Sequence, residues 1–311
     1  LSLTDMGALP FFAVAIRPLA GEGSPQSDRE TRTIMQRFGP AKVLERLRMR
    51  RPRAGHLSQA KVDDGSGVLV ASYNVHKCVG TDGRFDPERT FRVIHEIDAD
   101  VIALQEADKR FGNREGLLDL ARLERETGLT LVPVSGNMRT HGWHGNVLLF
   151  RRGVVRDVHQ INLPGLEPRG AVVAEIELEA GGVIRIIGAH FGLLRRSRTH
   201  QARMIQEIMA TGGDIPALLM GDLNEWRLNG RSALSTFDAA FGPLPEAVPS
   251  FPSRLPLLAL DRMIANRSDI LSPIMVHDTP LARLASDHLP IKAYIRLPSA
   301  NRTPGSERAA A

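Results

Sequence analysis

The sequence predicts an α/β fold, of the α+β kind, in which two mixed sheets pack face to face and carry helices on their outer surfaces. Three observations lead there. Short apolar runs alternate with amphipathic helical segments along most of the chain. Several of those runs adjoin as hairpins, which a simple doubly wound parallel sheet would not contain. The 311 residues, 42% apolar, can also enclose one large core, so one domain plus tails is the expected organisation.

In chain order, the first strand is expected over 68–75 (VLVASYNV), and a helix over 87–97 follows, opened by Asp86 as a cap with Pro87 in the first turn. A strand over 100–105 comes next, then a helix over 115–127 closed by Gly128 and a strand over 146–151. The runs 171–178 and 183–190 flank Ala180-Gly181-Gly182, which reads as a hairpin turn. A helix over 198–210 closed by Gly212 and strands over 216–221, 259–264 and 291–297 complete the pattern.

Residues 1–60 read as a separate, basic and partly disordered tail, residues 61–297 as the one large folded domain, and residues 298–311 as a disordered C-terminal tail. The net charge of +5 lies wholly in the first part: residues 1–60 hold ten Lys and Arg against five Asp and Glu, and the remainder holds thirty of each. A balanced main domain argues against a long DNA footprint, which needs several clustered phosphate contacts. Within the tail, Ala41–Arg50 could form a short basic helix with Val43, Leu44 and Leu47 on one side, able to touch anionic lipid or RNA; a solvated tail is the plainer reading. The longest early apolar run, Ala8–Ile16, contains Pro10 and stops at Arg17, short of the roughly 20 residues that span a bilayer. No transmembrane segment, no secretory leader and no obligate protein partner are therefore expected. With Cys78 as the single cysteine, a reducing, cytoplasmic setting fits, although the sequence starts at Leu1 and its natural start need not be residue 1.

Reactive residue types gather where strands end. LLMGDLN at 218–224 and SDHLP at 286–290 place acids with an amide or an imidazole beside apolar runs, where a rigid sheet can hold reactive groups at its rim. Tyr73-Asn74-Val75-His76, Leu104-Gln105-Glu106, Ala189-His190 and Leu260-Asp261-Arg262 repeat that placement. In this order the set resembles the endonuclease/exonuclease/phosphatase superfamily of metal-dependent phosphoesterases, over about residues 66–297. NVHK at 74–77, HGN at 144–146, HFGL at 190–193 and FPSRLPLLALDR at 251–262 look like a small bacterial single-domain branch of it.

The resemblance implies a four-layered α/β/β/α sandwich, DNase I-like, with the site at one end between the sheets. It implies hydrolysis of a phosphoester, foremost a phosphodiester, by an activated water. Glu106 would be the principal metal ligand, a costly strand-end carboxylate unless a cation or donor meets it. Asp287 and Asn74 would help to hold or brace the metal. Hard oxygen donors favour Mg²⁺, with Mn²⁺ as the alternative, and no His/Cys cluster with zinc spacing is present. Asp222 would orient or deprotonate the attacking water while the Asn224 amide contacts a phosphoryl oxygen; an Asp and Asn after a strand are also ordinary helix caps. His288 would bind phosphate or move a proton, with Asp261 fixing its tautomer and favouring its charged form. His190 would stabilise the phosphate or leaving group, with Ala189 where the family often has Thr.

A wider rim of His76, Lys77, His144, Asn146 and Arg169 offers phosphate donors, or simply surface polarity. Arg195, Arg196 and Arg198 read first as the solvated start of a helix and second as a steering group. Trp143 and Trp226 read as core filling before stacking surfaces, and Cys78, where the branch pattern expects glycine, carries no reactive role. The same catalytic set can serve nucleic acid, phospholipid or inositol-phosphate substrates, and a catalytically silent binding scaffold is the reading from another class. The substrate partner is thus a nucleic acid or a lipid or small phosphodiester, with the basic tail as an anionic-surface contact in the lipid case.

Overall fold

The computed structural model describes residues 67–110, 112–134, 140–179, 181–211, 213–227 and 231–297. The expectations for residues 1–60 and 298–311, for Ala180 in the hairpin turn and for Gly212 as the close of a helix lie outside them. Eleven strands form two mixed sheets among the described residues. In chain order these are β1 (Val68–Asn74), β2 (Val101–Gln105), β3 (Thr130–Leu131), β4 (Val147–Phe150), β5 (Gly153–Leu163), β6 (Arg169–Leu178), β7 (Val183–His190), β8 (Ala217–Asp222), β9 (Asp261–Ala265), β10 (Met275–Val276) and β11 (Ile291–Ile295). The first sheet runs β10-β11-β1-β2-β4-β3 and the second β5-β6-β7-β8-β9. β1 and β2 are parallel, as are β7 and β8, and the other pairs are antiparallel.

Period-two alternation splits each strand between two cores. Val70, Ala103, Leu148, Val172, Ile186, Leu218 and Met220 meet between the sheets. Their sequence neighbours Ala71, Ile102 and Leu149 face outward onto Phe91, Ile94 and Leu123 of the helices α1 (Pro87–Ile97) and α2 (Leu120–Thr127). On the other side Ile187 and Leu219 face Ala202, Ile205 and Phe237 of α3 (Arg195–Ala210) and α4 (Ser235–Phe241). A short α5 (Pro280–Ala285) covers the first sheet beside α1. Three apolar layers between four structural ones make the α/β/β/α sandwich.

Most elements fall where the pattern puts them, and the departures have local causes. α1 matches its expected span, because Asp86 accepts the Arg89 N–H at 3.0 Å and Pro87 occupies its first turn. α2 starts at Leu120 rather than 115, since Lys109 N donates to Glu115 O and Leu117 N to Ala107 O, which commits 115–117 to an extended pairing; Asp119 caps the helix instead. β5 goes unforeseen. It is a half-exposed edge strand whose register shifts between Val155 and Asp157, so a bulge breaks its apolar alternation. α3 begins at Arg195, three residues early, and Arg198 is fully buried rather than solvated. Its guanidinium donates to Gly192 O and Leu193 O and pairs with buried Glu225 Oε2 at 3.5 Å, so it anchors the chain after β7 and steers nothing. Among the described residues no helix is long and apolar enough to cross a membrane.

Candidate active site

Parallel β1 and β2 of one sheet, and parallel β7 and β8 of the other, finish at the same end of the sandwich. Antiparallel β9 and β11 begin there. His190 at the end of β7 is in register with Asp222 at the end of β8, and Asp222 with Asp261 at the start of β9. Gly221 permits the β7–β8 approach here: a Cβ on it would strike the Ala189 carbonyl, so the glycine serves strand pairing.

Asp222 is the focus of the cluster. Its Oδ2 accepts a hydrogen bond from Asn74 Nδ2 at 3.0 Å, across the gap between the sheets. The same oxygen lies 3.4 Å from His190 Nε2 and 3.7 Å from His288 Nε2, while Oδ1 accepts the Asn224 backbone N–H at 3.0 Å. The Asn224 amide donates to Phe191 O at 3.0 Å, one of its two N–H bonds. On the far side of His288, Nδ1 stands 2.8 Å from Asp261 Oδ2, which also accepts the Ser250 hydroxyl, and the ring packs on Phe251. Burial disfavours the His288 cation, yet the Asp261 and Asp222 carboxylates outweigh it and raise its pKa well above 6.5.

His190 is held the other way. Burial, then the Arg169 guanidinium, push its pKa down to about 3 despite Asp222 and Glu106. Arg169 Nη1 lies 2.9 Å from Nδ1 and 3.0 Å from Nε2. A neutral ring with its proton on Nε2 accepts from Arg169 at Nδ1 and faces Asp222 with an N–H. Arg169 is itself held by Glu167, whose other oxygen accepts Leu193 N at 2.8 Å.

The two histidines give stability a pH dependence on opposite sides of 6.5. The unfolded chain protonates His190 near 6.5 and the native protein resists to about 3, so its contribution is present above 6.5 and lost as pH falls through that interval. His288, raised in the fold, contributes fully below 6.5 and loses its contribution as pH rises through its folded value. His190→Gln is therefore expected to remove one proton's worth of slope on the acid side. Urea unfolding at about pH 7 and about pH 5 measures it, and equal slopes in both proteins contradict the assignment.

Glu106 follows β2. Its Oε2 is shielded from solvent and accepts no hydrogen bond, with Lys77 Nζ 3.2 Å away. Burial opposes ionisation, but nearby positive charge, the Lys77 ammonium first and Arg169 behind it, holds this carboxyl well below the usual range. An ionised, shielded oxygen met only by an ammonium out of hydrogen-bond geometry suits a cation, and the hard carboxylate oxygens of this end suit Mg²⁺ or Mn²⁺. Asp287 stands at the same mouth, partly exposed, with its Oδ1 3.7 Å from His76 Nδ1. Asn74 Oδ1 accepts the His76 N–H at 3.0 Å, so its amide is engaged at both ends as a brace. Asp222, Asp261 and His288 also offer atoms within 4.8 Å of one another. A ligating imidazole must be neutral, however, and this one is stabilised as a cation between two carboxylates, which favours a hydrogen-bond relay there.

The rim residues divide. His76 Nδ1 lies 3.0 Å from Val79 O, Lys77 faces Glu106, and His144 and Arg169 line the pocket beside Glu106 and His190. Asn146 is fully buried and its amide donates to Trp143 O and Gly170 O, so it locks a turn. Trp226 carries Arg227 and Arg198 over its ring at 4.6 and 5.2 Å. Cys78 is buried, and burial pushes its thiol up to about 11. Ser250, Glu167, Asp108 and Arg114 join the site without a sequence signal of their own, apart from the nearness of Ser250 to the 251–262 signature. Non-glycine residues with left-handed backbone concentrate here: His76, Lys77, Cys78, Glu106, His144 and Asn224 all have φ between 46° and 58°. Each such residue costs about 1–3 kcal/mol, a strain that gathers where function over-determines the backbone.

This sandwich with its reactive rim defines a phosphoester-hydrolase class of site, and the chain belongs to the Endonuclease/Exonuclease/phosphatase family, whose model matches residues 71–288. Members of that family hydrolyse phosphoester bonds. A comparison with curated proteins found no match. Solved structures share the fold. An endonuclease/exonuclease/phosphatase from Beutenbergia cavernae is 21% identical with a TM-score of 0.58, covering 74% of this chain and 72% of that one. Truncated TDP2 of Caenorhabditis elegans is 18% identical with a TM-score of 0.52, covering 74% and 98%. The mannosyl-6-phosphatase Bt3783 of Bacteroides thetaiotaomicron is 17% identical with a TM-score of 0.52, covering 74% and 100%.

Proposed function

We propose that this protein is a Mg²⁺-dependent phosphodiesterase that cleaves its substrate in one displacement by an oriented water. The observation that carries the reading is the convergence on Asp222 Oδ2 of Asn74, His190 and His288, from both sheets, beside the shielded carboxylate of Glu106, which only the Lys77 ammonium meets. Asp222 is the group that orients the water and takes its proton. Asn74 and the Asn224 backbone N–H fix that carboxylate, which leaves its remaining lone pairs for the water. Neutral His190 presents an N–H to a phosphoryl oxygen and does not compete for the proton. Charged His288, steered by Asp261, is the donor for the phosphate and the leaving oxygen. Glu106 and Asp287 would hold the metal, which would supply charge neutralisation at the phosphoryl oxygens. Mn²⁺ is its natural replacement.

Hydrolysis of bis-p-nitrophenyl phosphate is expected with Mg²⁺, to vanish in EDTA and to return with Mg²⁺ or Mn²⁺. A screen of phosphomonoesters, phosphodiesters, oligonucleotides and phospholipids that gives no metal-dependent turnover would refute the reading.

A further inference from the structure

The mouth of the site continues into a pocket more cationic than one phosphate requires. Lys77, Arg169, Glu106 and His190 form its inner wall, and Arg110, Arg114, Asp108 and His144 its outer wall. Four fixed cations thus face two carboxylates, before any metal adds charge. The inner cations are engaged: Lys77 stands 3.2 Å from Glu106, and Arg169 is held by Glu167 against His190.

The outer ones differ. Arg114 grips Asp108 through Nε at 2.8 Å and Nη2 at 3.3 Å, which leaves Nη1 turned toward His144 Nδ1 at 3.5 Å. The other nitrogen of His144 lies 3.1 Å from Asn162 Oδ1, so the ring is fixed from both sides. The backbone fixes the arrangement too, because Ala107 N donates to Gly145 O at 3.0 Å and so ties the 144–146 turn to the segment after Glu106. Arg110 makes no hydrogen bond or ion pair with any described residue, although Asp108 is two positions away and already taken by Arg114. Arg110, without a partner among the described residues, and the Nη1 of Arg114, which Asp108 leaves clear, line the same pocket, and two guanidiniums so placed suit a planar or tetrahedral oxyanion.

We propose that the substrate carries a second phosphate, bound by Arg110 and Arg114 beside the phosphate that is cleaved. The site then prefers a phosphorylated ester with two anionic groups, of nucleotide or polyol type, over a diester with neutral arms. This rests on the phosphodiesterase reading and narrows its substrate class.

The test compares inhibitors of bis-p-nitrophenyl phosphate hydrolysis in Mg²⁺. Thymidine 3′,5′-bisphosphate is set against thymidine 5′-monophosphate, and inositol 1,4-bisphosphate against inositol 1-phosphate; the two pairs separate the nucleotide and polyol sources. In the wild type at least one bisphosphate should bind about tenfold more tightly than its monophosphate. Arg110→Ala should erase most of that preference, Arg110→Lys should restore part of it, and Lys109→Ala, which removes an exposed cation paired with Glu115, should leave it intact. Equal inhibition within both pairs in the wild type, or a preference that survives in Arg110→Ala, overturns the inference. Calorimetric binding of the same four compounds reads the preference without turnover, so an inactive enzyme would count against the phosphodiesterase reading alone.

Discussion

Asp222→Asn is expected to give a folded protein whose hydrolysis of bis-p-nitrophenyl phosphate is lower by roughly 10²- to 10⁴-fold, the usual contribution of a positioned general base. The substitution conserves shape. The Asn224 backbone N–H keeps an amide oxygen at the Oδ1 position, but the Oδ2 acceptor becomes an N–H₂ facing the Asn74 amide donor and two imidazole nitrogens, at a position with almost no solvent exposure. A modest fall in thermal stability is expected from that mismatch, with the sheet content unchanged by circular dichroism. The loss should fall on kcat and kcat/KM alike, because a water-orienting group acts in the transition state. Turnover within threefold of wild type would remove Asp222 from the centre of the reaction.

Glu106→Gln is expected to be the second large effect, and for a different reason. The shielded Oε2 accepts no hydrogen bond, and the carboxyl is kept ionised by the surrounding cations, so its charge is available to a metal. An amide of the same shape cannot supply that charge. Mg²⁺ affinity measured by calorimetry should fall by more than about 100-fold, since even an outer partner of a ligand can cost 10–100-fold. Turnover should fall with it and recover only partly at high Mg²⁺. Unchanged Mg²⁺ affinity in this variant would place the cation elsewhere, with the Asp222, Asp261 and His288 group as the next place to look.

Much of the architecture was legible because burial on both faces writes itself into composition. VLVASYN, VIALQ and ALLMGD are apolar runs of strand length, and the Asp86-Pro87 opening of α1 is a local signal with a local cause. The edge strand β5 was not legible, since a bulge at Val155/Asp157 and a half-wet surface leave Arg156, Asp157, His159 and Gln160 in place of an alternating pattern. Arg198 misled for the opposite reason: nothing local distinguishes a cation that finds Glu225 in the interior from two neighbours left at the surface.

The candidate residues are visible as types at strand ends, and the fold brings Asn74, Glu106, His190, Asp222, Asp261, Asp287 and His288 to one mouth. Their supports were not visible. Ser250 on Asp261, Glu167 behind Arg169 and Asp108 under Arg114 are pairings across irregular loops, 11, 2 and 6 residues apart, that no periodic pattern announces. The left-handed backbone at Glu106 and Lys77 was equally hidden, because neither residue type favours it and only the surrounding contacts impose it.

The bond from Asn74 to Asp222 has one end in each sheet. With a single cysteine in the chain no disulfide ties the two sheets, so the Asp222 carboxylate is aligned only as well as the apolar layer keeps β1 and β8 in step. Slight slippage, from a trimmed side chain such as Val70→Ala or Met220→Ala deep in that layer, would thus silence the molecule while its spectroscopic signature of folding still looked intact. For this architecture, turnover is a finer gauge of interior packing than any melting curve.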